Sequence, residues 1–108
     1  MYEPSKIVNS FCIAGFQYHD GALVLGKLKV GKKLSLVAEP DNPYDPNAVA
    51  IKYKGVHLGY VPKEQNQLLA QLMHFGHAKV FECRVVQVNK KAAPYEQVRV
   101  GIYVRDNR

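Results

Sequence analysis

Three short segments set an aromatic ring beside a charged or hydrogen-bonding side chain: Gln17-Tyr18-His19-Asp20, Pro43-Tyr44-Asp45 and Gly59-Tyr60-Val61-Pro62-Lys63. Flat rings that stack on nucleobases, next to cations that meet phosphates, are how small barrels hold single-stranded nucleic acid. The chain carries seven tyrosines and no tryptophan. Tyr2 and Tyr53 call for no such role, and Tyr103 is expected to pack. The competing use for the same rings is to seal the ends of a barrel.

Other chemistries find less support. Gly21 to Leu28 approaches a phosphate-binding loop, but Leu28 follows Lys27 where Ser or Thr would hold magnesium, and no strand–helix–strand pattern surrounds it. Glu39, Asp41 and Asp45 bring three carboxylates within seven residues, as metal-dependent nucleases do. Pro40, Pro43 and Pro46 keep that stretch from wrapping an ion, and no second acidic cluster completes a two-metal site. These oxygens suit capping of loop amides better. His74 and His77 form the only close histidine pair, with no cysteine nearby to build a zinc site. Ser5, Ser10 and Ser35 lack a Gly-flanked elbow. Cys12 and Cys83 fall mid-strand, and Arg84 points to the face opposite Cys83. The expectation is a non-catalytic module without metal or cofactor.

Charge agrees with a polyanionic partner. The net charge is +6, and it is unevenly spread. Residues 1–50 hold five basic and five acidic side chains, residues 51–108 ten and four. A basic half beside a neutral one predicts one positive face. Apolar runs reach only four residues, as at Ala22 to Leu25, too short for a membrane helix. No apolar stretch follows Met1 to Lys6 as a secretory signal requires. Two thiols in apolar runs read as free cysteines of a reducing cytoplasm, nucleoid-associated if the source is bacterial.

The elements that must position these residues are mostly strands. Alternation predicts strands over 7–15, 34–38, 48–53, 56–61, 78–88 and 96–104, the third and fourth forming a hairpin around Lys54-Gly55. Residues 22–28 are ambiguous between a short helix and a strand. One helix is clear, over about 63–75. Pro62 opens it, Leu68, Leu69, Leu72 and Met73 recur at helical spacing, and Gly76 stops it. Its Leu face would plug one end of a barrel. No linker or repeat divides residues 1–108, so a single domain is expected. The fold class is all-β with minor α, a small six-stranded barrel whose closure removes exposed edges.

Gly15 to Gly21, Leu34 to Val49 with its Glu39-Pro40-Asp41-Asn42-Pro43-Tyr44-Asp45-Pro46-Asn47 core, and Leu58 to Pro62 together resemble the HIRAN domain. The likeness spans Phe11 to Val104. It implies a modified OB-like barrel, found beside SNF2-type ATPase motors in eukaryotic fork-remodelling proteins and as stand-alone or fused bacterial domains. It also implies binding of the 3′ end of single-stranded DNA. By position, Tyr44 would stack on the terminal base and Asp45 would accept a hydrogen bond from the 3′-hydroxyl. Gln17, Tyr18 and His19 would line the pocket, Tyr60 would close it, and Lys63 would contact phosphate. Gln17 stands where the eukaryotic branch carries Arg, His19 where it carries Tyr, and Tyr60 where it carries His. Phe81 and Tyr95 are candidates for a further pocket aromatic. The implied setting is a monomer serving a helicase, ATPase or nuclease in trans, in DNA repair or replication. Two rivals are a barrel that grips a peptide as an accessory to a repair or helicase complex, and a divalent-dependent nuclease.

Overall fold

A computed structural model describes residues 5–76 and 81–105. Six antiparallel strands form one sheet: β1 (Ser5–Cys12), β2 (Lys33–Ala38), β3 (Val49–Tyr53), β4 (Val56–Tyr60), β5 (Phe81–Val88) and β6 (Val98–Arg105). Their order is β1-β6-β5-β2-β3-β4. The two outer strands then meet. Beyond β1 the chain continues to Ala14, which exchanges two 2.9 Å backbone hydrogen bonds with Tyr60 at the end of β4. That bridge curls the sheet into an OB-like barrel and satisfies edge groups that would otherwise lie open.

Alternation along the strands sends Phe11 and Ile13, Leu58, Cys83 and Val85, and Val98, Val100 and Ile102 into a common core with Val49 and Ile51. Both cysteines are free, and burial pushes the Cys83 thiol up to about 12, which leaves it inert as a nucleophile. Residues 22–28 resolve as helical: α1 (Gly21–Val24) runs into a 3-10 turn at Leu25–Lys27. Gly21 is needed there because a Cβ would run into the ring of buried Phe16.

The helix expected over 63–75 is shorter than its apolar spacing suggests. A 3-10 turn, Lys63–Gln65, comes first, and α2 spans Gln67–His74. The break falls at Asn66, a weak helix former whose side chain is engaged elsewhere. The buried face also differs from the expected one. Leu69 and Ala70 are buried and Met73 packs against the core, whereas Leu68 is exposed. Gly76 ends the helix as expected, at φ 85°, donating its N–H to the Met73 carbonyl. The strand expected from residue 78 is described from Phe81; His77 lies outside the described residues.

Barrel closure depends on Gly59. A Cβ there would collide with the Ala14 carbonyl oxygen and come within 2.6 Å of Ile13 Cγ2. Gly59→Ala is therefore expected to destabilise the fold by about 2–3 kcal/mol, the scale of overpacking in a rigid core. In thermal unfolding that corresponds to a fall in Tm of roughly 10 °C or more for a domain of this size. An unchanged Tm would show that the bridge has room to give.

Candidate nucleic-acid interface

The closing bridge also starts the site. After Ala14 the chain turns at Gly15 (φ 72°) into a 3-10 turn, Phe16–Tyr18, anchored by the buried Phe16 ring. The Asp20 N–H donates to the His57 carbonyl at 3.1 Å. Residues 14–20 are thus pinned to β4 at both ends. This sets the His19 ring 4.1 Å from His57 and 5.7 Å from Tyr60, centroid to centroid, with His57 edge-on to Tyr60 at 5.0 Å.

The proline-rich loop faces this cluster and is ordered by Asn42. Asn42 Oδ1 accepts the Tyr44 and Asp45 N–H groups at 2.8 and 3.2 Å, and its Nδ2 donates to Glu39 Oε1 at 3.1 Å. Glu39 Oε1 also accepts the Tyr60 hydroxyl at 2.9 Å, which fixes that ring. Asp45 Oδ1 accepts the Asn47 N–H at 2.9 Å, as expected of a loop-capping carboxylate. Its Oδ2 accepts Asn66 Nδ2 at 2.8 Å. Asn66 is the one buried polar residue among those described. It stands at the start of α2, yet it makes no cap to its own helix and instead ties that helix to the loop. With the loop so held, the Tyr44 ring projects outward at 90% exposure.

Between these elements lies a cleft of about 420 Å³, within the ~300–1,000 Å³ usual for small-ligand sites. Ala14, Ala48 and Val61 give it apolar walls; Tyr44, Tyr60 and His19 supply rings; Asp45, Asn42 and Asn66 supply polar groups; and Lys63 supplies positive charge. Five of the seven residues singled out from sequence meet here: His19, Tyr44, Asp45, Tyr60 and Lys63. Tyr18 does not line the cleft and stands exposed on the neighbouring turn. The Gln17 backbone belongs to that turn, and its side chain lies outside those described. Phe81 packs against the core, away from the cleft, and Tyr95 is exposed on a 3-10 turn, Pro94–Glu96, that contacts the Phe16–Tyr18 turn.

Sequence reasoning missed Asn42, Asn66, His57 and the true use of Glu39. Asn66 left a faint mark, a poor helix former between Pro62 and the apolar repeat; His57 left none. Among the described residues no three His, Cys, Asp or Glu side chains converge to hold a metal ion, and no helix is long and apolar enough to cross a membrane.

Hydrogen bonds from Asn66 and Asn47, with Lys63 nearby, hold the Asp45 carboxyl below its usual range. Burial raises that of Glu39, but bonds from Asn42 and Tyr60 and the charges of His57 and Lys52 outweigh it, so the net direction is down. Burial and the Glu39 carboxylate push the Tyr60 phenol up. His57 is lowered, first by burial and then by the positive charge of His19, against a smaller opposing pull from Glu39. Its Nε2 is buried without a hydrogen-bond partner among the described residues.

The sign for stability follows. Unfolded His57 takes a proton near pH 6.5, and folded His57 resists it. Its contribution is complete above that pH and declines as pH falls through the lower folded value. The denaturant midpoint is expected to drop between pH 7 and about 5.5, above the range where carboxylates titrate. In His57→Gln that decline should shrink; an identical decline would remove His57 as its source.

A curled six-stranded antiparallel sheet with an aromatic cleft at its seam places the chain in the OB-like class of folds. The HIRAN domain family matches residues 8–105, and the chain belongs to that family. Over 73 residues it is 30% identical to a Fanconi-associated nuclease 1 homolog from rice (Oryza sativa subsp. japonica). That match covers 64% of this chain, which spans only 7% of the length of this curated relative. The crystal structure of a protein from Lactobacillus plantarum superposes with TM-score 0.79 at 24% identity, covering 95% of this chain and 97% of the other. The HIRAN domain of human HLTF superposes with TM-score 0.61 at 20% identity, covering 95% and 82%. At these identities the two structures establish a common fold.

Proposed function

We propose that this HIRAN domain is a non-catalytic nucleic-acid-binding module whose cleft receives the free 3′-hydroxyl end of single-stranded DNA. The observation that carries the reading is the tethered Asp45 carboxylate on the cleft wall, between an outward Tyr44 ring and Lys63. A carboxylate repels phosphate, so as a neighbour on the cleft wall it favours an uncharged hydroxyl donor over a phosphate group. Each Asp45 oxygen accepts one intramolecular hydrogen bond, so acceptor capacity remains for a sugar hydroxyl. Tyr44 then stacks on the last base, His19 and Tyr60 form the inner wall, and Lys63 meets a phosphate. Gln17 and Tyr18 are assigned to the approach rather than to the cleft.

Two or three phosphate contacts give a log–log salt slope of roughly −1.5 to −2 for a single strand. Binding is therefore modest and salt-sensitive. The Fanconi-associated nuclease relative from rice favours a setting in DNA repair, with a monomeric domain delivering ends to a helicase, ATPase or nuclease in trans. Fluorescence anisotropy with a linear strand and the same sequence closed into a circle tests the reading. Tighter binding of the linear strand supports it; equal binding contradicts end recognition, and salt-insensitive failure to bind either one removes the nucleic-acid role.

A further inference from the structure

Lysines concentrate on two loops outside the cleft. Residues 24–33 and 88–97 together hold six lysines and one carboxylate, Glu96. The stretch after α1 and the β5–β6 loop come together around a second concavity of about 490 Å³, whose walls carry Lys29, Lys90 and Lys91 with Gly26, Val30 and Asn89. Among the described residues no carboxylate and no aromatic ring lines it. The three lysines are exposed, and none makes an ion pair among the described residues; Glu82, the acid that does pair, takes Lys33 and Arg84.

The β5–β6 loop is built rather than loose. The Asn89 N–H donates to the Gln97 carbonyl at 2.8 Å, and Asn89 Oδ1 accepts the Lys91 N–H at 3.1 Å. Gln97 Nε2 donates to the Lys90 carbonyl at 3.2 Å. Three unpaired like charges held around one concavity repel each other, and a polyanion relieves that repulsion. A surface with cations but no rings or acceptors suits the repeating phosphate backbone and not the bases or a terminal hydroxyl.

Segments next to the two sites touch each other. The Pro94–Glu96 turn of this same loop packs on the Phe16–Tyr18 turn, which leads directly into His19 at the cleft. The positive face therefore draws on both halves of the chain, Lys29 from the first and Lys90 and Lys91 from the second, and not on the basic half alone. We propose that this lysine groove is a second, sequence-independent contact for the phosphate backbone of the strand whose end occupies the cleft, several nucleotides from that end. The proposal rests on the end-binding reading.

The test compares 3′-hydroxyl strands of about 4 and about 16 nucleotides, lengths that bracket OB-type site sizes. The longer strand should bind tighter, with a salt slope steeper by about 2, as three added phosphate contacts give at ~0.7 each. In the triple variant Lys29→Gln, Lys90→Gln, Lys91→Gln that excess slope and the length advantage should disappear. Affinity for the short strand should stay, which also reports that the variant is folded. Lys54→Gln, on the β3–β4 turn and not among the groove's lining residues, removes one lysine outside the groove and should keep the length advantage. A triple variant that retains slope and length advantage overturns the groove while leaving the end reading intact, as does wild type without a length advantage. Wild type that binds neither strand overturns the end reading, and this proposal with it.

Discussion

Asp45→Ala is expected to erase the domain's preference for a free 3′-hydroxyl over a 3′-phosphate. In the wild type the Asp45 carboxylate stays ionised at neutral pH, held below its ordinary range by Asn66 and Asn47. A hydroxyl gives it a hydrogen bond, and a terminal phosphate gives it only charge repulsion. The discrimination expected from one charged hydrogen-bonding group lost or blocked is roughly ten- to hundredfold. The readout is the ratio of two affinities measured on one variant. Asp45 also anchors the loop through Asn47 and Asn66, so its removal loosens Tyr44. Loosening weakens both termini together and leaves the ratio unchanged, whereas loss of the hydroxyl acceptor collapses the ratio toward one. Asp45→Asn, of the same size without the charge, should collapse it as well. A ratio preserved in both variants would assign end discrimination to another group.

Tyr44→Ala should weaken binding of either terminus by about 1–3 kcal/mol, the range for loss of one base–aromatic stack. That corresponds to roughly a five- to 150-fold rise in Kd. The ring is 90% exposed and makes no side-chain hydrogen bond among the described residues, so the unfolding free energy should stay within about 0.5 kcal/mol of wild type. Large loss of affinity with unchanged stability separates a binding ring from a packing ring. Tyr44→Phe should bind as wild type does, because stacking needs the ring and not the hydroxyl. Unchanged affinity in Tyr44→Ala would mean that the base lies elsewhere.

The strands and the hairpin were legible because period-two alternation follows directly from burial on one face of a sheet. The Tyr44-Asp45 loop was legible because its three prolines leave it few conformations. Closure of the barrel was legible from the need to cover strand edges, but its position was not, since it rests on one bridge between Ala14 and Tyr60, 46 positions apart, with no local signature beyond Gly59. The Asp45–Asn66 link was hidden for a related reason: the apolar repeat of α2 reads as one continuous helix, and only the tertiary partner explains why Asn66 interrupts it. His57 gave no signal, as a polar residue in a hairpin strand reads as an outward-facing one. Glu39 was visible as part of an acidic cluster, but its partner Tyr60 lies 21 residues away at the end of β4. Charge misled in a simple way. Counting by halves of the chain cannot see that Lys29 folds next to Lys90 and Lys91.

The most direct test of the central claim uses unmodified protein and two otherwise identical single strands, one ending in a 3′-hydroxyl and one in a 3′-phosphate, titrated by fluorescence anisotropy at low salt. Recognition of the uncapped sugar by Asp45 predicts at least tenfold tighter binding of the hydroxyl strand, on the scale of a charged hydrogen bond. Equal affinity for the two strands, or tighter binding of the phosphorylated one, would contradict it.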